Sequence, residues 1–333
     1  MRVLGINGGN GVILHPFRDY LIGNIENRSV FHTKGDFQWE LNFDCPLYKK
    51  VKVDNLPDIP GVDVIISHPD CGHSSIMAYS RAKKMSDPKD NESVDMFFKG
   101  LEKYNPKVFL MENLIKFIEG YGEDGLIDIL SGYNLVFHKG SVSMFGNSQI
   151  TRERLVIVGI RKDLPSFIRT IFSNIYKVNQ LSNAGMLIKG LKNEDESICN
   201  IRECIDDVIT LYAGYKDVLS NIQSEWNNKR VEDNRWKVEG KKFTTAPGVY
   251  KNREFEPPMT VRPSNRQFNH WGLMMGPREL ARLMGIPDDF NLYCDTNNKK
   301  YSINKGRVTV GKTPPYEIGL WFFKQMMKVK KYL

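Results

Sequence analysis

Short apolar runs alternate with longer mixed segments over the first half of the chain, and this alternation constrains the fold more than any other feature. Strands separated by such segments are typical of parallel strands joined by crossover connections. The pattern therefore predicts an α/β fold with an open, mostly parallel sheet. Strands are predicted at residues 2–6, 29–33, 62–67, 107–112, 135–140 and 154–161, and helices from about residue 12 and at 93–105, 124–133, 276–290 and 314–329.

The composition of the sequence and its hydrophobic periodicity change after Arg161. Residues 164–262 are polar and irregular, with aromatic residues scattered among Lys, Asn and Arg, and this change predicts a separate small domain. Periodic patterns then resume. We therefore expect a sheet domain formed by residues 1–163 and 300–333, and a small domain formed by residues 164–299.

The net charge and the cysteine content indicate which binding partners and which kinds of site the chain can have. The 333 residues carry a formal net charge of +8, which favours a polyanionic partner such as nucleic acid. The five cysteines are odd in number and irregularly spaced, so they indicate neither a disulfide framework nor a metal site. The sequence has no apolar run of membrane-spanning length and no signal-peptide pattern, so we expect a cytoplasmic protein without a membrane segment or a metal.

Residues that can carry chemistry follow three of the predicted strands. Glycines cluster in "INGGNG" after the first strand, Cys71 follows the strand at 62–67, and Glu112 and Asn113 end the strand that begins at 107. Because the carboxyl ends of parallel strands meet at one edge of a sheet, ligands bind at that edge. A tight turn, a core cysteine and a surface carboxylate would explain the same features separately.

Six segments carry motifs in a fixed order. They are "LGINGGNG", "VDVIISHPDCGHSS", "RAKKMSDPKDNESVDMFFKGLEKYNPKVFLMENL", "SQITRERLVIVGIR", "RPSNRQFNHWGLMMGPRELARLMGIPDDF" and "VGKTPPYEIG". In this order they resemble the DNA cytosine-5 methyltransferases that use S-adenosylmethionine. The resemblance implies a Rossmann-like methyltransferase catalytic domain with a small DNA target-recognition domain, in which about 164–262 read the DNA and 263–299 hold an Arg-Glu scaffold helix.

The resemblance also implies a reaction. Cys71 would attack C6 of a cytosine swung out of the duplex, which makes C5 nucleophilic enough to accept a methyl group. Glu112 would act at N3, as a protonated or hydrogen-bonding group, if burial raises its pKa. Asn113 would hold Glu112, and Arg152 and Arg154 would line the base pocket; ordinary charge at the start of a strand is the alternative for the two arginines.

The cofactor residues follow the resemblance less closely. The family usually places a glutamate at the end of the second strand to bind the ribose, whereas "FHTKGDF" offers Asp36 as the candidate. A surface turn explains Asp36 as well. The other implied contacts with S-adenosylmethionine are Gly8, Gly9, Asn10, Gly11, Asp54 and Pro69.

Three departures from the family pattern bear on activity. Where the family commonly has Gly-Gly-Pro-Pro-Cys-Gln, residues 67–72 are Ser-His-Pro-Asp-Cys-Gly. A carboxylate at Asp70 disfavours the thiolate of Cys71 unless a cation such as protonated His68 or His73 offsets it. In addition, one extra residue separates Gln149 from Arg152, and Lys312 replaces the usual Asn of the last motif.

The predicted function is that of a monomeric, sequence-specific enzyme acting on double-stranded DNA, as in restriction-modification, in the cytoplasm of its cell or of a host. One alternative is a catalytically impaired relative that binds DNA without methylating it. Another keeps the fold and acts on RNA cytosine, on a modified base or with another group donor. The sequence read by residues 164–262 does not follow from their composition.

Overall fold

A computed structural model describes residues 1–27, 39–71, 91–150, 152–175, 186–187, 249–251, 261, 266–268, 275–292, 306 and 309–333. The predicted strand at 29–33, together with Asp36 and His73, lies outside these residues. Most of the predicted small domain lies outside them too, so its role as a DNA reader stays a prediction.

A seven-stranded sheet organises the described residues, in the order β3-β2-β1-β4-β5-β7-β6. β1 to β5 run parallel, and β7 is antiparallel to both of its neighbours. The predicted open, mostly parallel sheet is confirmed. The strands are β1 (Val3–Ile6), β2 (Leu21–Ile25), β3 (Leu47–Tyr48), β4 (Val64–Ser67), β5 (Val108–Asn113), β6 (Tyr133–Ser141) and β7 (Glu153–Arg161), with a separate parallel pair, β8 (Val249–Lys251) and β9 (Arg266–Phe268).

Helices cover both faces of the sheet. The longest are α1, which begins after the capping residue Asn91, and α6, which follows two prolines as the sequence predicts. The α-helices are α1 (Glu92–Tyr104), α2 (Lys116–Tyr121), α3 (Glu123–Ile129), α4 (Phe167–Ser173), α5 (Pro277–Leu283) and α6 (Tyr316–Val329), and short 3-10 helices cover His15–Tyr20, Val53–Asn55, Val142–Phe145 and Lys330–Tyr332.

Side chains of the central strands point alternately to the two faces of the sheet, and so the hydrophobic core has two layers. In β4, Val64 and Ile66 pack on the side of α4, α5 and α6, whereas Ile65 packs on the side of α1, α2 and α3. Successive side chains of a strand point to opposite faces, so a run that is apolar at every position requires cover on both. This explains why β4 and β5 are continuous apolar runs in the sequence.

The second strand differs from the prediction. It is β2, at Leu21–Ile25, and the connection from β1 contains only the 3-10 helix His15–Tyr20 instead of a full helix from Val12. Pro16 begins that short helix, and β2 follows it directly. The shift moves the carboxyl end of the second strand to residue 26.

Parts of the predicted small domain contact the core of the sheet. α4 places Ile168 and Phe172 in the core beside the sheet, where their four-residue spacing forms an apolar helix face. Leu280 and Leu283 of α5 enter the same core. The described residues 164–175 and 275–292 therefore pack with the sheet domain.

No helix in the part of the chain that the structure describes is long and apolar enough to cross a membrane. The same described residues contain no group of three or more His, Cys, Asp or Glu side chains arranged to hold a metal ion.

Candidate active site

The carboxyl ends of β1, β4 and β5 lie in register at one edge of the sheet. Ile6 pairs with Ser67, and Ser67 pairs with Met111. The glycine loop, the Cys71 loop and Glu112 therefore leave neighbouring strands at the same level, as predicted from the sequence. The amino end of the antiparallel β7 meets the same edge, because Asn113 pairs with Leu155.

The glycine loop has a backbone that favours glycine. Gly9 and Gly11 have φ angles of +65° and +87°, in the left-handed region. A Cβ on Gly11 would lie 2.3 Å from the Phe43 ring, whereas a Cβ on Gly9 would meet no atom of the described residues within 4 Å. The loop is therefore packed on one side and open beside Gly9, where a ligand could approach the backbone.

The carboxylate of Glu26 is tied to this loop, and sequence reasoning missed it. Its Oε1 accepts hydrogen bonds from Gly9 N and from Asn24 Nδ2, both at 2.8 Å. Glu26 directly follows β2, so it occupies the strand end at which the family carries its glutamate. Asp36, the candidate from the sequence, lies outside the described residues. The apolar run "YLIGNI" before Glu26 was the signal that could have identified it.

Other predicted cofactor residues lie in different surroundings. Asn10 is 1% exposed, and its Nδ2 has no hydrogen-bond partner among the described residues. Such a buried donor is suited to a bound polar ligand. Asp54 instead lies exposed in the 3-10 helix Val53–Asn55 and lines a cavity of about 370 Å³ beside α1, which no described residue of the glycine loop lines.

The loop that carries Cys71 is held by the end of β5 and the start of α1. Asn113 Nδ2 donates to the carbonyl of Pro69 at 3.3 Å, and Asp70 N donates to Ser93 Oγ at 2.8 Å. Asn91 Nδ2 donates to the carbonyl of Asp70 at 2.7 Å. Asn113 was predicted to hold Glu112, but its amide fixes the nucleophile loop instead. The helix-capping residues Asn91 and Ser93 were not predicted at this site.

Burial is the largest influence on the Cys71 thiol, and it raises the pKa of Cys71. The charge of Arg154 opposes this rise, whereas the carboxylates of Asp70 and Glu112 add to it. Asp70 therefore acts in the direction predicted from the sequence, but it is secondary to burial. The predicted cationic offset comes from Arg154 and, more weakly, Arg152.

Asp70→Asn is expected to speed alkylation of Cys71 about 2- to 5-fold near pH 8, because removing one exposed negative charge lowers the pKa of the thiol modestly. Alkylation rates measured against pH would show the change. Asp124→Asn, which removes an exposed charge from α3, is the matched control and should leave the rate unchanged. Coincident profiles for Asp70→Asn and the wild type would contradict this electrostatic role.

Glu112 is fully enclosed and contacts two basic side chains. Arg154 Nε lies 2.8 Å from its Oε1, and His68 Nδ1 lies 2.5 Å from its Oε2. Glu112 pairs with Val156 across the antiparallel strands, and Arg154 lies on the same face two residues away. This diagonal relation brings the guanidinium to the carboxylate.

The pKa of Glu112 is shifted in the direction opposite to the one expected from the sequence. Burial does raise it, but the charge and hydrogen bond of His68 and the charges of Arg154 and Arg152 outweigh burial and lower it. A carboxylate with a donor on each oxygen is ionised. The sequence could not show this, because both close partners come from other segments of the chain.

Arg152 acts on Cys71 and Glu112 through its charge, but its hydrogen bonds go to backbone carbonyls. It is 3% exposed, and its guanidinium donates to the carbonyls of Val261 and Thr313, both at 2.8 Å. Gln149 accepts from Val261 N at 2.9 Å and donates to the carbonyl of Leu283 at 2.8 Å. The two side chains therefore join the start of β7 to later segments, and Arg154 alone of the arginine pair contacts Glu112.

Glu317, at the start of α6, is a half-buried carboxyl in this scaffold. Asn147 Nδ2 donates to its Oε2 at 2.8 Å, and a Cβ on Gly285 would lie 1.7 Å from its Oε1. Burial raises the pKa of Glu317 to about 7. The proton is therefore held more tightly in the folded chain than in the unfolded one.

Glu317→Gln is expected to remove part of the pH dependence of folding. Because the unfolded carboxyl titrates near 4.5 and the folded one near 7, the wild type should lose about 1–3 kcal/mol of stability relative to the variant as pH rises from 5 to 8. Denaturant unfolding at several pH values tests this. Burial lowers the pKa values of His15 and His138, so these two residues make the stability of both proteins rise with pH. Their contribution cancels when the unfolding free energy of the variant is subtracted from that of the wild type. A constant difference would contradict the expectation.

The sheet order is that of the Rossmann-like methyltransferase fold. The chain belongs to the C-5 cytosine-specific DNA methylase family, whose model matches residues 37–305. That family uses S-adenosylmethionine and methylates cytosine in DNA. The open backbone at Gly9 and the buried donor of Asn10 fit a polar cofactor at the end of β1.

Relatives cover nearly the whole chain. Type II methyltransferase M.FnuDI of Fusobacterium nucleatum is 23% identical over 98% of this chain and 94% of its own length. A DNA modification methyltransferase encoded within an E. coli prophage has a TM-score of 0.65 at 16% identity, with 99% of both chains covered. The S. pombe Dnmt2 methyltransferase has a TM-score of 0.63 at 13% identity, again with 99% of both chains covered. At these identities the solved structures support the fold.

Proposed function

We propose that this chain methylates C5 of a cytosine flipped out of double-stranded DNA, through a covalent adduct with Cys71. The observation that carries the proposal is the convergence of the Cys71 loop, Glu112 and Arg154 at the carboxyl edge of the sheet, beside the glycine loop. A nucleophile and an enclosed carboxylate with a cationic partner are the groups that addition to a pyrimidine ring requires.

The residues would act in sequence. The thiolate of Cys71 forms a bond to C6, and Glu112 at N3 balances the electron pair that moves onto the ring. Arg154 holds the Glu112 carboxylate, and Asn113, Asn91 and Ser93 fix the loop that aims the thiol. After C5 has gained the methyl group it loses its proton, and the C6–S bond breaks to release Cys71. The base must leave the stack, because its reacting atoms are inaccessible in the duplex.

S-adenosylmethionine would supply the methyl group through its sulfonium. Gly8, Gly9, Asn10 and Gly11 would surround its methionine part, and Pro69 would lie against the same space. Glu26 takes the ribose role proposed from the sequence for Asp36, because it ends β2 next to Gly9. The adenine role of Asp54 remains a proposal from the resemblance.

Glu26→Gln is expected to weaken S-adenosylmethionine binding about 10- to 100-fold, because it removes a charged acceptor from the ribose hydroxyls while keeping the shape of the side chain. Calorimetric titration with S-adenosylmethionine measures the change. Glu40→Gln, at an exposed glutamate, is the matched control. An unchanged dissociation constant would exclude Glu26 from the ribose site.

The proposed partners follow from the charge of the chain and from its family. A net charge of +8 suits a DNA backbone, and we propose a monomer that acts in the cytoplasm of its cell or of a host. A role in restriction-modification is suggested by the Type II name of the relative from F. nucleatum. We also propose that residues from about 164 to 262 recognise the target sequence in the DNA.

Transfer of labelled methyl from S-adenosylmethionine to mixed-sequence duplex DNA, followed by nucleoside analysis, tests the function. Labelled 5-methylcytosine is the expected product. Label in RNA alone, or in another nucleoside, would select the alternative substrates, and a different modified cytosine would indicate another group donor. DNA binding without any label would identify an impaired relative and overturn the proposal.

A further inference from the structure

Two basic side chains contact the enclosed Glu112 carboxylate, and only one of them can give up a proton. Arg154 lies on Oε1, and a guanidinium stays protonated in proteins. His68 lies on Oε2 through Nδ1, and an imidazole gains and loses a proton near neutral pH. The two sides of Glu112 therefore differ in chemistry.

The proposed reaction requires a proton that Glu112 alone does not hold. Attack of Cys71 at C6 places an electron pair on N3 of the cytosine, and that nitrogen must be protonated. His68 and Arg154 keep the pKa of Glu112 low despite its burial, so the carboxylate is ionised before the base arrives. The proton can instead come from the imidazole that contacts the carboxylate. An imidazolium that gives its proton to Glu112 becomes a neutral imidazole, and Glu112 can then pass the proton on.

The backbone around His68 is fixed on both sides. The preceding Ser67 is fully buried and donates its hydroxyl to the carbonyl of Ile6 at 2.7 Å. The following Pro69 accepts from Asn113 at 3.3 Å. With its side chain 15% exposed, His68 is anchored beside Glu112 at the end of β4.

Other charged groups surround this pair. In the described part of the chain they are Asp70 and Cys71 on the same loop, and Arg152 and Arg154 at the start of β7. Arg152 is committed to the carbonyls of Val261 and Thr313. Of the partners in contact with Glu112, His68 is the one that can exchange a proton with it.

We propose that His68 is a positioning residue that orients Glu112 and stores the proton delivered to N3 of cytosine. This inference rests on the proposed function. As the S–C6 bond forms, the C5–C6 π pair moves to C4–C5 and the C4–N3 π pair moves onto N3. N3 then takes a proton from Glu112, which takes one from His68 Nδ1 and leaves the imidazole neutral. Methyl transfer to C5 re-forms the C4–N3 double bond and returns the proton to the pair.

Two substitutions separate storage of a proton from simple support. His68→Asn keeps an N–H group near the position of Nδ1 but cannot release its proton, whereas His68→Ala removes both properties. If His68 only supports Glu112, His68→Asn should rescue the loss seen in His68→Ala. If it stores the proton, both variants should be slow.

Single-turnover transfer of labelled methyl to duplex DNA, measured from pH 6 to 9, is the test. We expect both variants to be about 10- to 100-fold slower than the wild type near neutral pH. The pH profile of His68→Asn should differ from that of the wild type, because an asparagine amide cannot exchange a proton with Glu112. A His68→Asn rate and pH profile equal to those of the wild type would overturn the inference.

Controls separate the possible failures. Absence of methyl transfer by the wild type would overturn the proposed function, whereas an active wild type with unaffected His68 variants would overturn this inference alone. The unfolding temperature and the S-adenosylmethionine affinity of both variants should match those of the wild type. If the Asn variant unfolds, the pH profile of His68→Ala is compared with that of the wild type instead, and identical profiles would overturn the inference. In a Glu112→Gln background, loss of His68 should add less than about 2-fold, because both act on one proton; an additive loss would contradict the coupling.

Discussion

Cys71→Ala is expected to reduce methyl transfer by about four orders of magnitude or more, because the thiol of Cys71 forms the bond to C6 in the proposed reaction. DNA and S-adenosylmethionine should still bind within a few-fold of their wild-type affinities, since the thiol acts in the covalent step. Single-turnover transfer of labelled methyl measures the rate. Duplex containing 5-fluorocytosine should trap the wild type covalently and leave the variant untrapped.

Cys45→Ala is the matched control for this substitution. Cys45 is also a free, partly buried cysteine, and burial raises its pKa to about 11. It packs against the hydrophobic core, and its backbone carbonyl accepts a hydrogen bond from Trp39 Nε1. We expect its alanine variant to retain turnover and trapping. Retained turnover in Cys71→Ala would remove Cys71 from the mechanism.

Glu112→Gln is expected to slow methyl transfer about 100- to 10,000-fold, the range of a positioned acid or base. Glutamine keeps the shape of the side chain but can neither receive the proton of His68 nor pass one to N3. It also leaves Arg154 without its carboxylate. The loss should fall on the single-turnover rate constant more than on DNA affinity, and quench-flow measurement with labelled S-adenosylmethionine would show this.

Glu119→Gln, at an exposed glutamate of α2, is the control for a change from acid to amide. It should transfer methyl at the wild-type rate. A near-normal rate for Glu112→Gln itself would move the acid at N3 to another group. Trapping by 5-fluorocytosine should slow in parallel with turnover, because the proton is needed when the C6 adduct forms.

Local patterns in the sequence were sufficient to predict much of the fold. Short apolar runs located β1, β4, β5, β6 and β7. The signal is strongest in β4 and β5, which are buried along their whole length because both faces of the sheet are covered. Apolar runs did not locate β2, whose short "LIGNI" lies after a 3-10 helix and carries buried Asn24. Helical spacing predicted α1 and α6, but it missed α4, whose seven residues lie inside a polar stretch.

The sequence by itself determined which residues end the central strands: the glycine loop, Cys71 and Glu112 follow from chain order and the parallel sheet. Only the tertiary structure decided their partners. Strand register selected Arg154 instead of Arg152 for Glu112, and the path of the Cys71 loop placed His68 on the other carboxylate oxygen. The reason is physical: periodicity is a short-range property of the chain, whereas contacts between segments, and the pKa values they set, depend on register and burial.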